Sequence, residues 1–268
     1  MTIEQQSNQV RTLNKDKRAF IEAVEQIHIE EIPAEFDELA TLQLAENLER
    51  TKLFLLGEIH GVKENPDIIY TLYKKFGFRN IALEWHPKLR VTAEQFLKTG
   101  NIDFAAIQDS PDGRITAGHF GLLKRLRNEG LLRRLICFDA GGKSWNERDA
   151  QMAQCILGSL ADDTTLVVAG GLHTKTQPFE LPEEPAHAHP MGESIKNRIA
   201  DVASGKIEYL SGTYHNYGVQ HFDGIGGQVM STTARFYKSP GNLYVFEVPE
   251  AHAATVPNPS EKLPRSDL

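Results

Sequence analysis

The chain has 268 residues, with 29 Lys plus Arg against 36 Asp plus Glu, which gives a formal net charge of −7 and an isoelectric point near 5.8. An acidic chain of this kind is not suited to binding nucleic acid through broad neutralisation of phosphates. The apolar fraction of 40% is ordinary for a folded domain and excludes fibrous and disordered classes. The length suits one α/β domain, which we place at residues 16–256, between loose ends at 1–15 and 257–268.

Short apolar runs alternate with helical patterns along the chain, which predicts a mostly parallel central sheet with helices on both faces. Residues 16–50 have the pattern of two helices interrupted at Pro33. The predicted strands follow at residues 53–57, 80–84, 135–139, 165–170, 207–211 and 243–248. We expect the middle four to be buried on both faces, because each lies between helices.

Two of the intervening helices have clear end signals. Asn65 has the properties of an N-cap, Pro66 suits the first helical position, and Gly77 is placed to end the same helix. Ser144 and Glu147 have capping-box spacing at the start of a later helix. We therefore interpret Glu147 as a helix cap and not as a catalytic residue.

Ionisable side chains collect at the carboxyl ends of the predicted strands. Glu58 and His60 follow the first strand, Glu84 ends the second, and His173 follows the fourth. In an open parallel sheet this edge is where ligands bind. Burial of carboxylates and imidazoles there costs free energy unless they pair, bind a metal or take part in a reaction. The sequence therefore predicts a functional site formed by these four side chains.

Two kinds of chemistry use such a set of residues. Two histidines and one or two carboxylates can hold a divalent cation such as Mn, Co, Zn or Fe, whose bound water becomes the nucleophile. Alternatively, an imidazole polarised by a carboxylate acts as a general base without a metal. The sequence has no G-x-S-x-G elbow, G-x-G-x-x-G fingerprint or P-loop, and we interpret the glycine-rich residues 224–227 as a turn.

The other polar residues near strand ends have simpler interpretations. Asp139 has the position of a helix N-cap, and His86 and His215 are expected to be partly exposed loop residues. His187 and His189 lie between prolines, which favours a solvated loop over a metal-binding pair or a flap above the site.

The remaining features concern location and redox state. Cys137 and Cys155 lie in apolar runs without metal-binding spacing, so we expect two reduced thiols. The polar N-terminus and the lack of any run near ~20 apolar residues predict a cytoplasmic chain without a membrane span. Neither feature indicates an oligomeric state.

The segment Leu55-Leu-Gly-Glu-Ile-His60 resembles the superfamily that groups the erythromycin esterases, the haem-binding ChaN proteins and the Tiki and TraB proteins. The likeness continues in Ile81-Ala-Leu-Glu84, in Glu147-Arg-Asp-x-x-Met-Ala153 and in Val168-Ala-Gly-Gly-Leu-His173. The one-residue spacing between Glu58 and His60 is closest to the ChaN-like branch, since erythromycin esterases have two residues there.

This resemblance implies an α/β sandwich whose site is formed by Glu58, His60, Glu84 and His173, with Arg148 nearby. Its branches differ in activity, from lactone hydrolysis through metal-dependent peptide cleavage to haem binding. The leading hypothesis is a hydrolase that acts on an ester or amide of a small molecule or peptide. Residues 174–240 match none of these motifs, and we expect them to determine substrate specificity.

Each residue has an expected role under this hypothesis. His60 would be the general base or a metal ligand, His173 a ligand or a stabiliser of the transition state, and Arg148 would neutralise developing negative charge or orient a substrate carboxylate. The alternative is a protein that binds haem or a small ligand without catalysis, with Tyr214 or His215 as the haem ligand.

Overall fold

In the computed structural model, residues 3–180, 187–222 and 232–257 are described, with side chains from residue 15 onward. The helices are α1 (Ile3–Gln26), α2 (Glu38–Thr51), α3 (Asn65–Phe76), α4 (Leu89–Thr99), α5 (Ala117–Asn128), α6 (Trp145–Ser159) and α7 (Met191–Lys196), with a 3-10 turn at Phe104–Ala106. The strands are β1 (Ala34–Phe36), β2 (Leu53–Glu58), β3 (Asn80–Leu83), β4 (Arg134–Cys137), β5 (Thr165–Gly170), β6 (Phe179–Glu180), β7 (His187–Ala188), β8 (Ala203–Tyr209), β9 (Thr213–His215), β10 (Val219–His221), β11 (Ala234–Lys238) and β12 (Tyr244–Val248).

One eight-stranded sheet has the order β1-β11-β12-β8-β2-β5-β3-β4. All neighbours from β12 to β4 are parallel, whereas β11 is antiparallel to β12 and β1 follows the direction of β11. The chain passes from β2 to β3 and later returns to insert β5 between them. The predicted α/β class with a mostly parallel sheet is confirmed, and the carboxyl ends of β2, β5 and β3 lie side by side.

Two apolar layers cover the sheet, one on each face. Along β2, Phe54 and Leu56 belong to the layer that includes α1 to α5, whereas Leu53 and Leu55 pack in the layer of α6 and α7. All six residues of β2 are buried as a result, including Glu58 at its end. The Glu58 carboxylate therefore lies at the carboxyl edge of the sheet, next to the two apolar layers.

The predicted end of α3 and the predicted start of α6 are confirmed. Gly77 ends α3 in the left-handed conformation at φ 66, and Pro66 lies in its first turn. Asn65 is not the N-cap, however, because Glu64 occupies that position and the Asn65 amide bonds to Glu58 instead. At α6, Ser144 Oγ accepts a hydrogen bond from the Glu147 amide at 3.2 Å, whereas the Glu147 carboxylate accepts from the Lys143 amide at 3.0 Å, so only the Ser144 half of the predicted capping box forms.

Other local expectations differ from the structure. Helix α1 begins at Ile3, within the stretch that we expected to be a loose end, and β1 lies directly after Pro33, where the sequence predicts only an interruption. Strand β8 alternates between buried and half-buried residues, because its second face bears Lys206 and Glu208, which pair at 2.9 Å. The glycine-rich turn at 224–227 and residues 258–268 lie outside the described residues.

The structure also bears on the predicted lack of a membrane span and on the state of the two cysteines. Among the described residues, no helix combines the length and apolarity that crossing a bilayer requires. Cys137 and Cys155 are both free, and burial raises the pKa of Cys137 to about 12. The Cys137 thiol therefore stays protonated at neutral pH.

Candidate functional site

The structure brings the four predicted strand-end residues together. Glu58 is the last residue of β2 and His60 follows it, Glu84 comes directly after β3, and His173 follows β5 shortly after its end. His60 Nε2 lies 3.6 Å from Glu84 Oε2, and His173 Nε2 lies 3.6 Å from Glu84 Oε1. The two imidazoles therefore face the two oxygens of one buried carboxylate.

His60 ends a chain of hydrogen bonds that starts at β8. His60 Nδ1 lies 2.7 Å from Glu58 Oε1, and Asn65 Nδ2 donates to the other oxygen of Glu58. The Tyr209 hydroxyl, at the end of β8, donates in turn to Asn65 Oδ1. Glu58, Asn65 and Tyr209 are all buried, so their polar groups are satisfied within this chain.

The charges on His60 and Glu84 depend on each other. Burial by itself would lower the pKa of His60, but the carboxylates of Glu84 and Glu58 outweigh it and raise the pKa to about 10. Burial would likewise raise the pKa of Glu84, but the positive charges of His60 and Arg114 hold it well below its usual range. At neutral pH His60 is therefore an imidazolium and Glu84 a carboxylate.

His173 has a different environment, supplied by α6. Asp149 Oδ1 lies 2.8 Å from Nδ1, and Arg148 Nη1 lies 3.1 Å from Nε2. A guanidinium can only donate, so Nε2 is the acceptor and the ring proton is on Nδ1, where it is donated to Asp149. The second oxygen of Asp149 accepts from the Met191 amide at 2.7 Å, which fixes the carboxylate. His173 is therefore a neutral imidazole with a defined tautomer.

Two arginines complete the cluster. Arg148 donates to Glu84 Oε1 at 2.6 Å and, through Nε and Nη2, to both oxygens of Asp139 at 2.8 and 2.9 Å. Burial opposes the charge of Arg148, but Asp139 and Glu84 raise its pKa further. Arg114 Nη1 also donates to Asp139, at 2.9 Å, and its Nε lies 3.5 Å from Glu84 Oε1. Asp139 is thus an anchor for both guanidinium groups and not a helix cap, since Ser144 caps α6.

A divalent cation would need free donor atoms in this cluster. Within the described ranges, no three His, Cys, Asp or Glu side chains are arranged to hold a metal ion. Arg148 donates to Glu84 and to His173 Nε2, the atoms that would have to coordinate a shared metal. The guanidinium of Arg148 would repel a cation there. The residues therefore do not fit a resident divalent metal.

The residues considered for haem, Tyr214 and His215, lie on β9. His215 is 4% exposed on β9, so the expectation of a partly exposed loop residue is wrong; its amide bonds to the Gly61 carbonyl at 2.9 Å. Tyr214 packs against Phe222, with ring centroids 4.9 Å apart. Because neighbours on a strand point to opposite faces, the two side chains cannot ligate one iron together. Haem ligation through either one stays a prediction.

The remaining histidines are peripheral. His86 is exposed, as expected of a loop residue, and accepts a hydrogen bond from the Lys88 amide at 3.2 Å. His187 and His189 are exposed as well, but His187 belongs to the short strand β7, and His189 Nδ1 pairs with Glu193 at 3.0 Å.

Sequence reasoning missed several residues of the site. Asp149 stands in a motif that the sequence analysis noted, next to Arg148, and helical spacing would have placed both near one strand end. Asn65 has the same local signal as an ordinary helix cap. Arg114 and Tyr209 have no local signal, because their contacts join segments far apart in the chain.

Comparisons with known proteins establish the fold. No protein-family model and no curated protein matches the chain in sequence. An erythromycin esterase mutant in its open conformation aligns with 80% of this chain and 94% of its own, at a TM-score of 0.55 and 11% identity. A succinoglycan biosynthesis protein aligns over 89% and 98% of the two chains, at 0.57 and 9% identity, and a protein from Bacillus cereus over 81% and 99%, at 0.53 and 11%. The resemblance found in the sequence is confirmed at the level of the fold.

Proposed function

We propose that this chain hydrolyses a carboxylic ester without a metal, with His173 as the general base and His60 as a permanent positive charge. The observation that carries the proposal is the arrangement around Glu84, where each imidazole is held by its own buried carboxylate. Different neighbours place the two imidazoles in different protonation states, which is a recurrent basis of acid and base assignments. The fold shared with an erythromycin esterase supports the same class of reaction.

The base is His173, oriented by Asp149. A water molecule that replaces the hydrogen bond between Arg148 and Nε2 donates to that nitrogen, and its oxygen attacks the ester carbonyl carbon while its proton passes to Nε2. Asp149 keeps the other ring proton on Nδ1 and stabilises the imidazolium that forms. The tetrahedral intermediate then collapses, and the leaving alkoxide takes the proton back from Nε2.

Positive charge for the oxyanion comes from His60, Arg148 and Arg114. Their side chains are 19%, 18% and 31% exposed, whereas those of Glu58 and Glu84 are each 3% exposed. The cations therefore lie nearer to the substrate than these carboxylates, in a site where charge is weakly screened. Because its pKa is raised to about 10, His60 is not a base at neutral pH, so the proposal exchanges the roles suggested by the sequence.

Hydrolysis of p-nitrophenyl acetate by the purified chain tests this proposal. We expect the same rate before and after dialysis against EDTA, and a loss of about 10³-fold or more in kcat for His173→Ala and for His60→Ala. His86→Ala, which removes an exposed histidine outside the cluster, is the matched control and should keep the full rate. A rate restored only by added Mn, Co, Zn or Fe would contradict metal-free chemistry, and full activity in His173→Ala would rule out the assigned base.

A further inference from the structure

We propose that Trp145 is a positioning residue that holds the ring of His173 by face-to-face stacking, a role that rests on the proposed function of His173 as the base. The two rings are nearly parallel, with an interplanar angle of 10° and centroids 4.4 Å apart. Among the described residues, no other aromatic ring stacks on an imidazole in this way.

The contact belongs to a set supplied by one helical turn. Trp145, Arg148 and Asp149 stand at positions i, i+3 and i+4 at the start of α6, so they share one face of the helix. They contact the face of His173, its Nε2 and its Nδ1 respectively. Ser144 caps this turn and fixes where it begins. Rotation of the imidazole would therefore break a stacking contact as well as two hydrogen bonds.

The indole also contacts the hairpin formed by β6 and β7. Phe179 of β6 meets Trp145 edge-on, at 87° and 6.2 Å between centroids. Asn146 holds β7, since Nδ2 donates to the His187 carbonyl at 3.2 Å and Oδ1 accepts from the His189 amide at 2.7 Å. Trp145 is thus packed between the hairpin and His173.

The ring of Trp145, and not its N–H group, carries the contact. Trp145 Nε1 is buried and finds no hydrogen-bond partner within the part of the chain that the structure describes. Among the residues that the structure describes, therefore, no hydrogen bond of the side chain accounts for tryptophan at this position. The stacking of a flat indole on His173 does account for tryptophan here, because the face of an indole attracts the imidazolium that His173 becomes when it takes up a proton.

Stacking of this kind favours the form of His173 that the reaction creates. The groups that face His173 are Asp149 at Nδ1, Arg148 at Nε2 and Glu84 3.6 Å from Nε2, while Lys175 Nζ lies over the Phe179 ring instead. When His173 takes the proton of water, the indole face stabilises the imidazolium more than it stabilised the neutral ring.

Replacement of Trp145 tests the role of the ring. On p-nitrophenyl acetate we expect Trp145→Phe to stay near the wild-type kcat, and Trp145→Leu to lose about twofold to thirtyfold in kcat with KM unchanged. Phe96→Leu is the control, since it removes a buried ring of α4 that packs on Phe120 at 5.1 Å outside the cluster. Equal kcat values for the Leu and Phe variants would overturn the proposal, because a residue that only fills space would behave in that way.

Fluorescence tests the contact without any substrate. The chain has two tryptophans, so Trp85→Phe leaves Trp145 as the only indole. A protonated imidazole quenches an indole that it touches, and we expect emission to fall on acidification and this transition to disappear in Trp85→Phe/His173→Gln. Emission that titrates identically with and without His173 would overturn the stack. If the transition is present but His173→Ala hydrolyses at the wild-type rate, the base assignment fails while the stacking contact stands.

Discussion

The two imidazoles that face Glu84 are held by different means. His60 is placed by packing of the main chain, because the next residue, Gly61, has φ 75 and lies against the backbone of His215. Gly113, next to Arg114, packs against the same carbonyl group of His215. A Cβ added at Gly61 would lie 1.9 Å from the His215 carbonyl oxygen, and one added at Gly113 would lie 2.4 Å from it. His173 is held instead by side chains from the first turn of α6.

The neighbours also give the two imidazoles different charges. His60 has a carboxylate near each ring nitrogen, which favours the imidazolium. His173 also has a carboxylate near each nitrogen, Asp149 at Nδ1 and Glu84 3.6 Å from Nε2, but Arg148 donates to Nε2 at 3.1 Å, which requires the neutral tautomer. One residue type thus supplies a fixed charge on one side of Glu84 and a lone pair on the other.

The largest effect on kcat is expected from Asp149, which holds the neutral tautomer of His173. Asp149→Asn replaces the carboxylate with an amide that can donate to Nδ1 and so moves the ring proton to Nε2. We expect kcat for p-nitrophenyl acetate to fall by about 10³ to 10⁴ while the circular dichroism spectrum stays native. A loss below tenfold would show that Asp149 does not set the tautomer in catalysis.

Next in size is the effect of breaking the main-chain contact beside His60. Gly61→Ala forces a Cβ into the His215 carbonyl at a positive φ, so we expect the free energy of unfolding to fall by more than about 2 kcal/mol, with loss of activity. Gly130→Ala is the control, because Gly130 also has a positive φ but no atom within 4 Å of the added Cβ, and it should cost about 1 kcal/mol without changing activity. Equal costs in urea denaturation would refute the steric argument.

A smaller effect is expected in the pH dependence of stability, which distinguishes the contribution of the His60 charge from that of its packing. The pKa of His60 is raised from 6.5 to about 10 on folding, so its stabilising contribution is complete below pH 6.5 and is lost as the pH rises to about 10. We expect the difference in unfolding free energy between wild type and His60→Gln to narrow over this interval. Urea midpoints at a series of pH values measure it, and two parallel curves would mean that the pKa is not raised.

The smallest effect is expected at Tyr209, where the chain of hydrogen bonds that leads to His60 starts. Tyr209→Phe removes the hydroxyl that donates to Asn65 Oδ1 and leaves that buried oxygen unpaired. We expect a loss of about 1–3 kcal/mol in unfolding free energy and less than tenfold in kcat, because Glu58 keeps its bond to His60. Tyr237→Phe, which changes a half-buried tyrosine on β11, is the control. If Tyr209→Phe lost more activity than Asp149→Asn, the hydrogen bonds of His60 would matter more for catalysis than those of His173.

Much of the fold and the first four site residues could be predicted because their signals are local. An apolar run followed by Glu58 and His60 marks both a buried strand and its polar end, and Ser144 with Glu147 marks the start of α6. Strand β1 gave no such signal, since its three residues are partly exposed at the edge of the sheet. Asn65 was misread as a cap because the same amide that suits a helix start bonds to Glu58 and Tyr209.

By itself the sequence determined which residues reach the carboxyl edge of the sheet, because apolar periodicity and strand ends depend on near neighbours in the chain. Only the tertiary structure decided which of them pair, which imidazole is charged, and that Arg148 occupies the position where a metal was considered. The physical reason is that hydrogen bonds and Coulomb interactions depend on distances between groups. Strand order and helix orientation set these distances, and they bring Tyr209 to Asn65 and Asp149 to His173 across long stretches of chain.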